Sequence, residues 1–115
     1  MSAERADELG VAPLAEIVAY GMSSDRYPSL HTVPAMAMER ALKKAGLASS
    51  DLGLVEINEA FAAVPIHSAR LLGVDEEIVN VNGGAVALGH PIGASGSRIV
   101  FTLIAEMRRR GVDLG

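Results

Sequence analysis

The feature that most constrains the fold is an alternation of short aliphatic runs with amphipathic helical segments. The aliphatic runs predict strands, at residues 14–21, 54–57 and 78–81, and the first of these strands is predicted to be largely buried. The amphipathic segments predict four helices. The first covers residues 3–9, the second runs from Pro34 to Gly46, the third follows the strand at 54–57 directly and ends at about Leu72, and the fourth covers residues 97–110. Strands that alternate with helices indicate an α/β fold with a largely parallel sheet.

Residue types at the helix ends support these boundaries. Ser2 is predicted to cap the first helix and Gly10 to end it. Pro65 lies inside the predicted third helix, where it would remove a hydrogen bond and cause a bend. Residues 22–32 have no apolar period and predict a surface loop. The run Arg108–Arg110 complements the helix dipole and predicts a solvated helix end.

Length and composition exclude several classes of protein. The chain has 115 residues, half of them hydrophobic, which allows one compact domain or one piece of a larger one. A net charge of -4, without a large basic cluster, argues against a nucleic-acid surface. No apolar stretch approaches the roughly 20 residues that span a bilayer, and the N-terminus is charged, so we expect a soluble, cytoplasmic protein without membrane contact. The chain has no cysteine, which excludes disulfides, thiolate metal sites and a cysteine nucleophile of its own.

Two places that follow predicted strands contain candidates for chemistry, because ligands of open α/β sheets bind at such positions. Asn58 offers an amide from a fixed backbone position, although the sequence alone favours a cap of the helix that follows, and both roles can hold together. His90, between a glycine and a proline in a glycine-rich loop, is placed to act as a general base near neutral pH. The alternative is an imidazole that is hydrogen-bonded within its loop. His31 and His67 are predicted to be surface or packing residues.

Other sites receive weaker support from the sequence. Residues 93–96, Gly-Ala-Ser-Gly, open a helix like a phosphate cradle, but the spacing and the lysine of nucleotide-binding loops are absent. Ser95 is not in the G-x-S-x-G motif of hydrolases. No histidines or carboxylates have metal-ligand spacing, and no metal site is predicted.

Two motifs resemble the signatures of the thiolase family, whose members make or break a carbon–carbon bond next to a coenzyme A thioester. Residues 58–61, Asn-Glu-Ala-Phe, are similar to the thiolase NEAF motif. Residues 82–96 are similar to its longer glycine-rich signature, from Asn-Gly-Gly-Ala to Gly-His-Pro-Ile-Gly-Ala-Ser-Gly. The similarity extends over essentially the whole chain. It implies a thiolase-like layered α/β fold with a mixed, mostly parallel sheet flanked by helices.

The resemblance implies roles for five residues. His90 would activate the cysteine nucleophile of the N-terminal half and help to hold the thioester oxygen, while Asn58 would orient a water that completes this oxyanion hole. Phe61, Gly89 and Pro91 would contact the substrate. An enolate next to a thioester needs donors placed in advance, and the loss of one typically costs about 2.7–4 kcal/mol. The reaction would be a reversible Claisen condensation or thiolysis in fatty acid metabolism, with coenzyme A as part of the substrate and no further cofactor.

The chain departs from the family pattern in two respects. Both catalytic cysteines are absent, so the isolated chain is expected to be inactive and to need the thiolase N-terminal half. Residues 1–115 would be a partial C-terminal domain without its first strand and last two strands, and the exposed apolar surface would favour association. Family members are commonly homo-oligomers. At residues 30–32, Leu-His-Thr replaces the Met-Gly often found in biosynthetic members, which leaves the acyl-chain preference open.

Two other functions remain open at this point. The first is a non-catalytic acyl-CoA-binding or regulatory module that has lost its cysteines. The second is a related condensing enzyme such as a ketoacyl synthase, which shares the fold. Those enzymes usually place histidines where this chain has NEAF, so Asn58 argues against this second function. The sequence does not indicate the synthetic or degradative direction of the reaction.

Overall fold

The structure is a computed structural model that describes residues 1–26 and 29–115. Within these ranges the α-helices are α1 (Ala3–Glu8), α2 (Val33–Ala45), α3 (Ala63–Leu72), α4 (Ala85–Leu88) and α5 (Ser95–Arg110), and 3-10 turns lie at Ser49–Asp51 and Glu76–Ile78. The predicted loop at 22–32 is irregular as expected, apart from Tyr27 and Pro28, which lie outside the described residues. In this part of the chain no helix combines the length and the apolar content needed to span a bilayer.

The ends of the helices follow the local sequence signals. Ser2 caps α1, because its side-chain oxygen accepts a hydrogen bond from Arg5 N at 3.2 Å. Gly10 follows this helix with a φ of +63°. α2 and α3 end at Gly46 and Gly73, whose φ values of 71° and 68° lie in the left-handed region that favours glycine. These predicted ends are confirmed.

The third helix begins later than predicted. α3 starts at Ala63 with Ala62 as its N-cap, so residues 58–61 form an irregular segment before it. Pro65 therefore lies in the first turn, where a backbone N–H has no partner within the helix. The predicted loss of a helical hydrogen bond at Pro65 is wrong, and with it the reason for a bend.

The predicted strands at 54–57 and 78–81 are reduced to a single parallel bridge within the described residues, between Val55 and Val79. Val55 N donates to Ile78 O at 2.9 Å, and Asn80 N donates to Val55 O at 2.9 Å. Ile78 belongs to a 3-10 turn rather than to a strand. The two strand predictions are therefore wrong outside this bridge, because a strand needs a continued ladder with a neighbour.

The predicted buried strand at 14–21 is also wrong. The segment forms no ladder, and the Ile17 side chain is 86% exposed. Gly21, at its end, lies so close to α2 that an added Cβ would be 2.0 Å from Ala37 O. The apolar run signals burial, but a buried strand requires another strand beside it, and residues 1–26 and 29–115 supply none.

The core is small and aliphatic. Val55, Ile57 and Val64 form its buried centre. Half-buried apolar side chains pack around this centre: Met38, Leu52, Ile78 and Val79. Helices α2 and α3 also pack against each other. Because the Ile57 side chain packs in this core, it fixes the backbone position of Asn58, the next residue.

α5 begins at Ser95, two residues earlier than predicted, and its last turn is not simply solvated. Glu106 is only 4% exposed. Arg109 donates to it twice, from Nη2 to Oε1 at 2.5 Å and from Nε to Oε2 at 2.8 Å. Arg110 also donates to this carboxylate. The side chains of Arg109 and Arg110 remain 66% and 39% exposed, so the prediction of a solvated helix end is confirmed, and two of its arginines also pair with Glu106.

Candidate active site

Asn58 is held in place through the residue that precedes it. Ile57 N donates to Asn80 Oδ1 at 2.8 Å, and Asn80 Nδ2 donates to Ile57 O at 2.9 Å. The Asn80 side chain thus pairs with both polar groups of one peptide residue, as a neighbouring strand would. The φ of Asn80 is +48°, a conformation that asparagine tolerates better than most residues. Asn58 therefore extends from a backbone that is fixed by both packing and hydrogen bonds.

The side chain of Asn58 has an unsatisfied polar atom. The residue is half-buried, and its carboxamide oxygen is buried without a hydrogen-bond partner in the part of the chain that the structure describes. The alternative role as a helix cap is wrong, because Ala62 is the N-cap of α3. An unpaired buried acceptor costs about 1–3 kcal/mol, and such a group calls for an explanation beyond folding. The amide is available to a water or a ligand.

His90 lies on the exposed glycine-rich loop between α4 and α5, directly after Gly89, whose φ is +89°. Its Nδ1 is 2.7 Å from Ser95 Oγ, which in turn donates to Pro91 O at 3.1 Å. Since the hydroxyl has a single hydrogen, this geometry assigns Nδ1 as the donor to Ser95. In the neutral ring Nε2 then has the lone pair that accepts a proton. One nitrogen holds the ring in its loop and the other remains available, so the two alternatives for His90 are compatible.

The loops of Asn58 and His90 are joined by Glu59. Asn80 Nδ2 donates to Glu59 Oε1 at 2.9 Å, and Val86 N donates to Glu59 Oε2 at 2.7 Å. Glu59 directly follows Asn58, and Val86 lies in α4, four residues before His90. The structure therefore ties the two candidate residues to a common carboxylate.

Charged groups of α5 lie beside the segments that hold the candidate residues. Asn82 Nδ2 donates to Glu106 Oε2 at 3.1 Å, which connects the start of the glycine-rich loop to α5. Burial raises the pKa of Glu56, and the nearby guanidinium of Arg98 opposes this rise. In the described part of the chain, the guanidinium nitrogens of Arg98 are buried without hydrogen-bond partners. No group of three or more His, Asp or Glu side chains there is arranged to hold a metal ion.

The three residues with implied substrate contacts are not all in one place. Gly89 and Pro91 flank His90 on the exposed loop. Phe61 is 69% exposed and lines an open cleft of about 600 Å³ together with His31. Among the described residues, the lining of this cleft includes none of 89–91. His31 also packs edge-to-face against the ring of His67, with 4.5 Å between the ring centroids, in agreement with a packing role for both histidines.

Two residues that organise the site were not singled out from the sequence. Glu59 and Asn80 make hydrogen bonds to partners 21 to 27 residues away, which no local pattern predicts. A partial signal existed for Asn80, since an asparagine directly before Val81-Asn82-Gly83-Gly84 is a residue type that adopts the left-handed conformation at a strand end. Glu59 is the second residue of the NEAF motif, but the motif did not indicate which groups its carboxylate would bind.

Known proteins match both the sequence and the fold. The family model for the thiolase C-terminal domain matches residues 11–115. The 3-ketoacyl-CoA thiolase of Bacillus subtilis and the acetyl-CoA acetyltransferase of Chromobacterium violaceum are 48% and 50% identical over 115 residues. Each match covers 100% of this chain and 29% of the relative. The crystal structure of human mitochondrial 3-ketoacyl-CoA thiolase aligns with a TM-score of 0.90 and 47% identity, over 96% of this chain and 28% of that one.

The similarity in sequence and fold defines a unit of the thiolase-like α/β class, so the predicted fold is confirmed at that level. The predicted mixed, mostly parallel sheet stays a prediction, since the described residues contain one parallel bridge. The chain belongs to the thiolase C-terminal domain family. It spans about 29% of the length of the curated relatives it matches.

Proposed function

We propose that this chain supplies the histidine and the asparagine of the oxyanion hole in a thiolase-type acyltransferase, which condenses acyl-CoA and cleaves 3-ketoacyl-CoA reversibly. The observation that carries the proposal is the hydrogen-bonded position of the His90 ring, in which Nδ1 donates to Ser95 and Nε2 keeps its lone pair. Membership of the family supports the reaction class, since the matching relatives have the names of thiolases and acetyl-CoA acetyltransferases.

His90 acts first as a base and then as a donor. Its Nε2 accepts the proton of a cysteine thiol supplied by the thiolase N-terminal half, and the thiolate attacks the carbonyl carbon of the acyl thioester. The ring is then protonated on both nitrogens. Its Nε2–H donates to the thioester oxygen as negative charge develops there, while Nδ1 keeps its bond to Ser95. The adduct then collapses, the C–S bond to coenzyme A breaks, and the departing thiolate takes the Nε2 proton, so that the acyl group stays on the cysteine and coenzyme A leaves as the thiol.

Asn58 acts through a water. Its unpaired carboxamide oxygen accepts one hydrogen of the water, whose other hydrogen points to the same thioester oxygen. Two donors thus converge on one developing oxyanion. The fixed backbone of Ile57 supports this role, because a donor that is already in place costs no reorganisation during the reaction.

The activity depends on groups outside this chain. No cysteine is present, so residues 1–115 offer neither the nucleophile nor the second catalytic thiol of the family. The isolated chain should show no thiolysis. The substrate is the coenzyme A thioester itself, and Phe61, Gly89 and Pro91 are proposed to contact it.

The proposal can be tested in a hybrid enzyme, in which residues 1–115 replace the matching segment of the Bacillus subtilis 3-ketoacyl-CoA thiolase. We expect the hybrid enzyme to cleave a 3-ketoacyl-CoA. The substitution His90→Ala should lower kcat/KM by at least about 100-fold, because it removes a base and one oxyanion donor. Asn58→Ala should have a similar effect through the second donor.

The matched control is His67→Ala, a histidine of α3 that stacks on His31 and has no proposed role in the reaction. It should leave kcat/KM within about threefold of the unsubstituted hybrid, as is usual for a site without a transition-state contact. A His90→Ala hybrid enzyme that retained full thiolysis would refute the proposal. A folded hybrid that binds coenzyme A without turnover would instead favour the non-catalytic acyl-CoA-binding function.

A further inference from the structure

Glu59 uses both of its carboxylate oxygens to join two segments of the chain. Oε1 accepts from Asn80 Nδ2 at 2.9 Å, and Oε2 accepts from Val86 N at 2.7 Å. Asn80 Nδ2 also donates to Ile57 O. The side chain of Glu59 therefore lies between the backbone that orients Asn58 and the helix that precedes the histidine loop.

The space for this carboxylate depends on Gly84. A Cβ at residue 84 would lie 2.3 Å from Glu59 Cδ, 2.5 Å from Oε1 and 2.6 Å from Oε2. The φ of Gly84 is -113°, which any residue adopts, so the backbone conformation does not require glycine here. What this position requires is the absence of a side chain, because the carboxylate occupies that volume.

We propose that Glu59 is a positioning residue, which sets the distance between Asn58 and His90 by binding Asn80 and the Val86 amide at the same time. This inference rests on the function proposed above, since it concerns the geometry of the same oxyanion hole. Glu59 itself does not contact the reacting atoms. It acts through the two loops, and a shift of about 1 Å in either loop is enough to cost about 100-fold in rate.

The substitution Glu59→Gln keeps the shape of the side chain but removes its charge and one of its two acceptor oxygens. Glutamine has nearly the same shape but only one acceptor oxygen, and its NH₂ group can only donate. Both partners of Glu59 are N–H donors, so one of the two bonds must be lost and replaced by two opposed donors. Gly84→Ala tests the same contact from the other side, because it leaves the charge of Glu59 intact and displaces the carboxylate sterically.

In the hybrid enzyme we expect both variants to lower kcat by about 10- to 100-fold, with KM within about twofold, because they change the placement of the oxyanion donors rather than substrate binding. The melting temperature should change by only a few degrees, because the aliphatic core around Ile57 does not depend on Glu59. The matched control is Glu77→Gln, which makes the same chemical change at an exposed carboxylate. It should not change kcat by more than about twofold, since Glu77 belongs to neither of the two loops.

The outcomes distinguish this inference from the function on which it rests. An unsubstituted hybrid that is folded but inactive, or an active one that His90→Ala leaves unchanged, contradicts the proposed function. A hybrid that is active and depends on His90, with kcat unchanged in Glu59→Gln and Gly84→Ala, refutes the positioning role alone. If both variants fail to fold, the positioning role is also refuted, because Glu59 is then a group that the fold itself requires.

Discussion

The strongest single support of the site is the side chain of Asn80, and its removal should have a large and calculable cost. Asn80→Gly removes the partners of the Ile57 N–H and C=O, and Ile57 is only 3% exposed. Each unpaired buried group costs about 1–3 kcal/mol, which gives about 2–6 kcal/mol for the two groups. Glycine adopts the φ of +48° without strain, so the cost beyond the about 0.5–1 kcal/mol of extra backbone entropy that glycine loses on folding measures the lost hydrogen bonds.

The test is the free energy of unfolding of the 115-residue chain, from urea titrations followed by circular dichroism. A domain of this size has a total stability of about 5–15 kcal/mol, so the expected loss is a large fraction of the whole. Asn80→Ala should be no more stable than Asn80→Gly, since alanine pays about 1–2 kcal/mol in the left-handed region. If Asn80 were only a turn residue, glycine would replace it with no penalty beyond that of backbone entropy. A loss below about 1 kcal/mol in Asn80→Gly would therefore refute the reasoning.

Two further predictions concern the surroundings of the site. The hydrogen bond from Arg109, together with that from Asn82, lowers the pKa of Glu106 from its ordinary value of 4.5 to about 2, so the stability from this carboxylate is fully present above pH 4.5 and is lost as the pH falls towards 2. Urea midpoints measured across this range should fall less steeply in Glu106→Gln than in the unsubstituted chain, and equal slopes would contradict the assignment. Gly21→Ala places a Cβ 2.0 Å from Ala37 O, a backbone atom that cannot rotate away, and should cost about 1–3 kcal/mol in the same titration. A neutral effect of Gly21→Ala would show that this close approach is not needed by the fold.

The features that the sequence predicts well are local ones. A serine before α1 and the glycines after α2 and α3 act within a single helical turn, so the residue type is enough to place the helix end. The segment 14–21 failed for the opposite reason, because the burial of an apolar run depends on a neighbouring strand that its own residues do not specify. The prediction of a solvated end at Arg108–Arg110 holds, but the ion pairs of two of these arginines were not predicted although a signal was present, since Glu106 precedes them by three and four residues, the spacing of a helical ion pair.

The candidate site divides in the same way. Asn58 and His90 were predicted because each belongs to a motif of adjacent residues, and their proposed chemistry follows from the side-chain type. Glu59 and Asn80 were not predicted, because their roles consist of contacts across 21 to 27 residues. A sequence motif can therefore contain a group that holds the site, as NEAF contains Glu59, without indicating its distant partners.

The way in which the site is held has a further physical consequence. Among the described residues, a single β-bridge, between Val55 and Val79, connects the segment before Asn58 with the segment before the glycine-rich loop. Hydrogen bonds of the Asn80 and Glu59 side chains continue this connection. A backbone ladder distributes its hydrogen bonds over many residues, whereas this arrangement concentrates them on Asn80 and Glu59. The accuracy of the site is then controlled by two side chains, of which Asn80 also holds the backbone of the buried Ile57 and so supports the fold. Glu59 supports mainly the positions of the two loops, which is why substitutions at Glu59 should affect kcat far more than the melting temperature.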